Sequence, residues 1–313
     1  MAQATHALPK IAAFDEEQLT RKPRSLWNNA WRQYRHSRPA MFGLVILIII
    51  VAATLVGPFI YTQDEKAIDF KLKRQPPSLQ FPFGTNEAGQ DQLARALTGG
   101  RISIAVGTAA MAVGIFLGIA VGALAGYFGG YIDSWLMRVT DVFLSLPGLP
   151  VLLLTIYLFR ESLRSVFGPQ LGIFLLMVVL IGAFNWMSVA RVVRASFLSL
   201  KQKEFVEAAH CIGVSSASVM LKHILPNVLS PVIVAATLSV GAAIITESAL
   251  SFLGLGFPPD FPTWGRMLFD AQDYLTLSPH IAFFPGLLIF LTVLCINYVG
   301  DGLRDALDPR KTR

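Results

Sequence analysis

The chain has 313 residues, 54% of them hydrophobic and only 15% charged, with a mean hydropathy of +0.56 and a formal net charge of +6. Soluble domains carry about 25% charged residues, so this balance excludes an ordinary soluble fold and points to an integral membrane protein. The +6 net charge reads as membrane topology and not as a nucleic-acid surface.

In chain order, residues 1–39 form a polar arm. No cleavable signal is expected there, because the first apolar run is a full span rather than a short signal core. Within "SLWNNAWRQYRHSRP", Trp27, Trp31 and Tyr34 fall at i, i+4 and i+7, with Arg32, Arg35 and Arg38 between them. That pattern predicts a helix with one aromatic face and flanking cations, suited to the headgroup layer. A helix packed on the protein itself is the alternative. A hydrocarbon core of about 30 Å needs roughly 20 apolar residues per helix. Runs at 40–61, 102–126, 134–158, 170–192, 228–254 and 281–300 satisfy this and predict six spans, the fifth interrupted by Glu247 and the sixth by Pro285. Residues 62–100 then form a segment outside, 101–303 the main membrane core, and 304–313 a tail. With both termini inside, 17 Lys and Arg lie on the cytoplasmic side against 8 outside, which fixes the orientation.

Gly107, Gly114, Gly118, Gly122 and Gly126 recur nearly every four residues in the second span, a stripe suited to tight helix crossing. Arg138 and Asp141, three apart, can pair on one helical face. Glu247 sits deep in "VGAAIITESALSFLGLG", where an unpaired charge costs about 2.5–3.5 kcal/mol on insertion scales. It must meet a hydroxyl, a backbone group, water or the bundle interior.

Between the fourth and fifth spans the chain turns polar: "EFVEAAHCIGVSSASVMLKHILPN", Glu204–Asn227. "KEFVEAAHCI" favours a helix, Gly213 is placed to end it in left-handed conformation, and Ser215 or Ser216 can cap a second helix that Pro226 ends. Phe205, Ala208, Ala209 and Ile212 make one small apolar face, edged by Glu204 and Glu207. Such a face fits a partner's groove, and a plain linker hairpin is the alternative. Farther on, Thr263 can cap a short amphipathic helix bearing Trp264, Met267, Leu268 and Leu275, either a lid on the bilayer surface or a contact surface outside.

No G-x-x-x-x-G-K-[ST], G-x-S-x-G or H-E-x-x-H occurs, so the chain shows no phosphate-cradling loop, nucleophile or metal-bound base. The two cysteines and five histidines lack disulfide or metal-ligand spacing. No catalytic residue, metal or cofactor is expected.

The loop resembles the EAA loop of bacterial ABC importer permeases: Glu207, Ala208, Ala209 and Gly213 match residue by residue, and "ILP" follows, ending at Pro226. His210, Cys211 and Ile212 depart from the usual basic or small residues. "FPFGTNEAGQDQLARALTGGRISIAVG", "GYFGGYIDSWLMRVTDVFLSLPGLP", "ESALSFLGLGFPPDFPTWGRML" and "NYVGDGLRDALDPR" resemble the C-type subunit of dipeptide/oligopeptide importers, in order over residues 25–310. Gln90 stands where that family usually has Arg, so no role of that Arg carries over.

The resemblance implies an all-α integral membrane protein of the bacterial inner membrane, with six transmembrane helices in the type I ABC importer permease fold and a cytoplasmic EAA coupling helix. It implies a second homologous permease, two cytoplasmic ATPase subunits and an extracytoplasmic solute-binding protein as partners in the lipid bilayer. Glu204, Glu207, Ala208, Ala209, Gly213 and Pro226 become the ATPase-coupling set. Glu247, Asp141 and Arg138 become gate or path support, and Trp264, Arg266 and Met267 a periplasmic scoop. The glycine stripe is expected to pack against the partner permease. Nickel or another small solute is the alternative cargo. A secondary transporter is the alternative class, although the sequence lacks the two inverted halves it requires.

Overall fold

The computed structural model describes residues 26–307, with side chains from residue 30 onward. Most of the expected arm (1–25), the side chain of Trp27 and the end of the tail (308–313) lie outside the described residues. The described chain is helical apart from its connections, with a lone β-bridge between Thr85 and Asp91. The helices are α1 (Leu26–His36), α2 (Arg38–Ile60), α3 (Gln92–Phe128), α4 (Gly130–Ser145), α5 (Gly148–Phe167) and α6 (Pro169–Lys201). After these come α7 (Glu204–Cys211), α8 (Leu225–Phe252), α9 (Trp264–Ala271) and α10 (His280–Leu307).

Five helical stretches are long and apolar enough to span a bilayer, and α4 with α5 supplies a sixth crossing bent by 85°. The break falls at Leu146–Pro147, where proline drives the preceding residue out of helical conformation: Leu146 sits at φ −73°, ψ 139°. The expected straight span over 134–158 is therefore two helices.

The direction of α3 and α6 explains why this bent piece must cross. A β-carbon added at Gly118 would lie 2.5 Å from Val189 Cβ, at Gly122 2.5 Å from the Ala190 carbonyl, and at Gly126 2.5 Å from Phe197 Cβ. Contacts advance together along both chains, so α3 and α6 run parallel with their backbones nearly touching. Parallel neighbours leave a chain end and a chain start at opposite ends of the bundle, and α4–α5 carries the chain back. The glycine stripe thus packs within this chain, against α6, and through Gly107 against Ile244 of α8. It is not spent on a partner, as the sequence reading expected, because one face of α3 is used up here.

Other close approaches set the remaining directions. Gly57 of α2 meets Leu97 of α3, Gly43 meets Cys295 and Tyr298 of α10, and Gly300 meets Leu238 of α8. All three pairs are antiparallel. The start of α2, the α6–α8 connection and the end of α10 consequently share one end of the bundle, as the charge bias requires.

Several boundaries shift outward from the sequence estimate. At 37 residues, α3 is about 55 Å long at 1.5 Å per residue. It begins at Gln92 because the Asp91 carboxylate accepts from the Leu93 and Ala94 amides. α10 runs straight through Pro285. Pro226 does not end a helix either. It occupies the first turn of α8, preceded by a π-helical segment, Val219–Ile224, in which the Leu225 amide donates to the Met220 carbonyl. The wider i→i+5 turn accommodates a ring that would strike the i−4 carbonyl of a regular helix.

Polar groups inside the bundle are satisfied locally. Glu247 is fully buried, accepting from Ser251 Oγ at 2.8 Å on its own helix and from Ser103 Oγ at 3.2 Å on α3. Ser103 Oγ in turn accepts from the Trp264 amide at 3.3 Å. Asp141 does not pair with Arg138. It takes Arg191 Nη2 of α6 at 2.6 Å, while Asp133 takes Arg194, whose Nη2 lies at 2.6 Å. Both arginines project from the last turns of α6 toward α4, so a cross-helix partner is nearer than the one on the same face. Arg138 stays exposed and makes no ion pair among the described residues.

Four substitutions probe this packing. Gly122→Val is expected to destabilise the purified chain by about 1–3 kcal/mol, since overpacking forces backbone shifts, read as a lower thermal midpoint in detergent. Gly148→Ala, whose added carbon would come no nearer than 3.8 Å to Phe184, should leave the midpoint unchanged. Glu247→Leu is expected to cost about 1–3 kcal/mol by stranding buried hydroxyls, while Glu247→Gln, which still accepts, should retain most of the stability.

Candidate functional site

At the end of the bundle that holds both chain ends, α7 lies across the tips of α3, α6 and the π-helical segment. The Lys203 carbonyl accepts from the Val206 and Glu207 amides and opens the helix. Glu204 and Glu207 fall in its first turn, where the helix dipole favours carboxylates. At the other end Gly213 adopts φ +79°, as its position after the apolar run predicts. Its amide donates to the His210 carbonyl and that of Val214 to the Ala209 carbonyl, the paired bonds of a Schellman stop. A β-carbon at Gly213 would meet nothing within 4 Å, so the demand for glycine is conformational, not steric.

Burial divides the helix into two faces. Val206 and Ala209 are buried against Phe197 and Val193 of α6, Val219 and Ile224 of the π-helical segment and Val228 of α8. Phe205 is 43% exposed and Ile212 80%, and Ala208, Glu204 and Glu207 are exposed with them. The sequence reading put Phe205, Ala208, Ala209 and Ile212 on one apolar face. The structure turns Ala209 inward with Val206 and leaves the other three outward. Val206, which falls off that i, i+3, i+4, i+7 pattern, proves to be the anchor. Its signal was its own hydrophobicity next to a second apolar residue three positions on. An eight-residue helix thus has one face fastened to the bundle and an apolar, acid-edged face open. It can bind a complementary surface; it carries no reactive group beyond exposed Cys211.

The opposite end of the bundle is capped by α9. Thr263 Oγ1 accepts from the Arg266 amide, as expected of an N-cap. Trp264 is fully buried with its indole donating to the Ala96 carbonyl at 2.9 Å, and Met267 is buried beside it. These two side chains hold α9 down and are buried beneath it, and of the three expected scoop residues only Arg266 retains exposure. Arg266 pairs with Asp270 at 2.9 Å, and Arg95, buried at the start of α3, reaches the same carboxylate at 3.4 Å. Burial raises Asp270 above the usual carboxylate range, against the pull of Arg266 and then Arg95. Burial likewise raises Glu87, with the Asp270 charge adding to it. Gln90, which stands where the resembling family has Arg, accepts from Arg95 Nη1 and Asn86 Nδ2, each at 2.8 Å. Sequence reasoning missed Arg95 and Asp270. The i, i+4 spacing of Arg266 and Asp270 was available as a signal; the long-range partner Arg95 was not. No group of His, Cys, Asp and Glu able to hold a metal ion occurs among the described residues.

Comparison with known proteins agrees with this architecture. Residues 114–313 match the family described as the binding-protein-dependent transport system inner membrane component, and residues 25–77 match the N-terminal transmembrane domain of oligopeptide transport permease C. The chain is 40% identical to the oligopeptide transport system permease protein OppC of Escherichia coli (strain K12), over 94% of each chain. It is 39% identical to the glutathione transport system permease protein GsiD of Shigella flexneri serotype 5b, over 92% of this chain and 91% of that one. Among solved structures, an inward-facing form of the MetNI methionine ABC transporter superposes with a TM-score of 0.54 at 18% identity. That match covers 69% of this chain and 96% of the matched one. At that identity the likeness shows the fold. The chain belongs to the family of binding-protein-dependent transport system inner membrane components, the permease subunits of ABC importers.

Proposed function

We propose that this permease imports oligopeptides or similarly small peptides, paired with a second homologous permease and driven by two cytoplasmic ATPase subunits through α7. A solute-binding protein delivers the cargo from outside. The cargo assignment draws on two relatives whose names specify oligopeptide and glutathione, both peptides, at 40% and 39% identity over nearly the whole chain. The coupling role draws on one observation above the rest: α7 is fastened by Val206 and Ala209 while Phe205, Ala208 and Ile212 remain open beside Glu204 and Glu207. A helix that only linked two spans would have no need of an uncovered apolar face. Docking of α7 in an ATPase groove covers that face, and movement of the groove then pulls on the π-helical segment and α8. Alternation between inward- and outward-facing states follows as rigid-body movement of the bundles. The chain supplies the path and the lever, and hydrolysis belongs to its partners.

In this reading the shared end of the bundle is cytoplasmic. With Cys211 and Cys295 replaced by Ser, a cysteine at Leu79, in the 61–91 connection and fully exposed, should react with an impermeant thiol reagent applied to intact cells. A cysteine at Ser216 should react only after the cells are opened. Labelling of Ser216→Cys from outside would reverse the topology.

Gly213→Val forces a β-branched residue into positive φ, and Glu207→Lys inverts a charge at the open face. Neither touches the membrane or the buried anchor. Both variants are expected to reach the membrane and retain the second permease while losing at least about tenfold in peptide uptake, the equivalent of 1.4 kcal/mol at the contact. Co-purification of the ATPases should fall in parallel. Wild-type uptake and wild-type ATPase recovery in both variants would reduce the loop to a linker. The chain purified alone should hydrolyse no ATP above a mock preparation.

A further inference from the structure

At the end of the bundle that holds both chain ends, α1 is fixed in place by several contacts. Gln33 Nε2 donates to the Asp305 carbonyl at 2.8 Å, Tyr34 Oη donates to the Ala40 carbonyl at 3.2 Å, and a β-carbon at Gly302 would lie 2.8 Å from Tyr34 Cε2. The aromatic face expected of α1 is therefore divided: Tyr34 packs on the protein, and Trp31, stacked on it at 5.8 Å, stays half-exposed. Between α1, α2 and α10 this leaves an apolar groove of about 310 Å³, lined by Ala30, Tyr34, Leu44, Leu303 and Ala306 with Trp31 at its rim. A second concavity of about 450 Å³ shares Trp31 and is lined besides by Arg32, Arg35 and His36. His36 Nδ1 donates to the Arg32 carbonyl at 2.7 Å, holding its ring at that wall. Arg32 and Arg35 are exposed, and neither makes an ion pair among the described residues.

The two concavities, which share Trp31, ask for opposite chemistry. The groove is apolar and open, which favours an alkyl chain; the adjoining site holds two guanidiniums that favour a phosphate oxygen. Their depth is set by α2, whose apolar run begins at Pro39, directly after Arg38, so the groove lies at the top of the hydrocarbon and the arginines at headgroup level. An amphiphile carrying both parts in one molecule satisfies both sites together. We propose that this is a binding site for one anionic phospholipid of the adjacent leaflet, an acyl chain in the groove and the phosphate on Arg32 and Arg35. A zwitterionic lipid carries its own cation next to the phosphate and offsets the attraction, so the charge pattern selects the anionic class. The groove is at the small end of the range of about 300–1,000 Å³ for ligand sites, which suits a single chain and not a docked helix.

Native mass spectrometry of the delipidated full-length chain, titrated with phosphatidylglycerol and with phosphatidylcholine of the same acyl chains, tests the site. Phosphatidylglycerol should be retained in preference. Arg32→Gln with Arg35→Gln should lower its retention about fivefold per arginine, the effect of one basic residue at an anionic surface, and leave phosphatidylcholine unchanged. Arg138→Gln, which removes another exposed cation outside the site, should have no effect. Leu303→Trp should lower phosphatidylglycerol retention by filling the groove, and added inorganic phosphate should not compete. Equal retention of the two lipids, or an Arg138→Gln effect as large as that of the double variant, would overturn the site in favour of general surface attraction. Unchanged retention in the double variant would overturn it in favour of another occupant, such as a partner chain.

Discussion

The parallel contact between α3 and α6 is the constraint on which the other helices depend. Glycines at 114, 118, 122 and 126 let α6 approach so closely that added β-carbons would fall within contact distance of its backbone or Cβ atoms. In a bilayer no hydrophobic force drives helices together, so association rests on this kind of packing. Once two consecutive long helices lie parallel, the chain must recross between them. That requirement is met by α4 and α5, bent by 85° and held to α6 by Asp133–Arg194 and Asp141–Arg191. The bend is therefore a consequence of the seam, and proline at 147 is where the sequence permits it.

Buried charge is handled differently at the two depths. In the bundle interior Glu247 meets hydroxyls, among them Ser251 on its own helix and Ser103 on α3, which ties α8 to α3 without placing a second charge in the membrane. At the capped end, where water is nearer, full ions are used: Arg95 and Arg266 share Asp270, with Gln90 accepting from Arg95. An arginine at position 90, as in the resembling family, would set a second cation beside Arg95, whereas Gln90 supplies an acceptor.

Local chemistry explains which features could be read from the sequence. The Gly213 stop and the Thr263 cap depend on residues within a turn of one another, and both appear where the sequence places them, as do the apolar cores of five spans. Asp141 shows the limit: Arg138 is correctly spaced for it, yet Arg191, fifty positions on, is the partner because α4 folds back on α6. Trp264 shows the same limit in apolar terms. An amphipathic pattern says that one face is covered, but not whether lipid, partner or, as here, the underside of the same chain covers it. The assignment of the glycine stripe to a partner failed for this reason, since small residues specify a close neighbour without specifying whose helix it is. The division of α7 into fastened and open faces was also hidden, because Val206 and Ala208 differ little in the sequence pattern and only the tips of α6 and α8 distinguish them.

The fastening of α7 has a mechanical consequence. Val206 and Ala209 pack in the same cluster as Val219, Ile224 and Val228, so a load on the helix bears directly on the segment that opens α8. Closely packed interiors transmit strain, since their side chains have little room to absorb it. The helical ladder on this route is altered at the π-helical turn ahead of Pro226, whose hydrogen bonds are re-registered, and again at Pro231, which has no amide to donate. Beyond the π-helical turn α8 is continuous for 28 residues and ends where Glu247 accepts from Ser251 and from Ser103, the latter in turn holding the first amide of α9. A displacement of α7 therefore has two outlets. It can be taken up at the π-helical turn, leaving the far cap at rest, or it can move α8 as a rod, shifting the Glu247 contacts and with them α9. The placement of the π-helical turn next to the loop, and of the hydroxyl-bound carboxylate at the opposite end, puts the decision between these outlets at the base of α8.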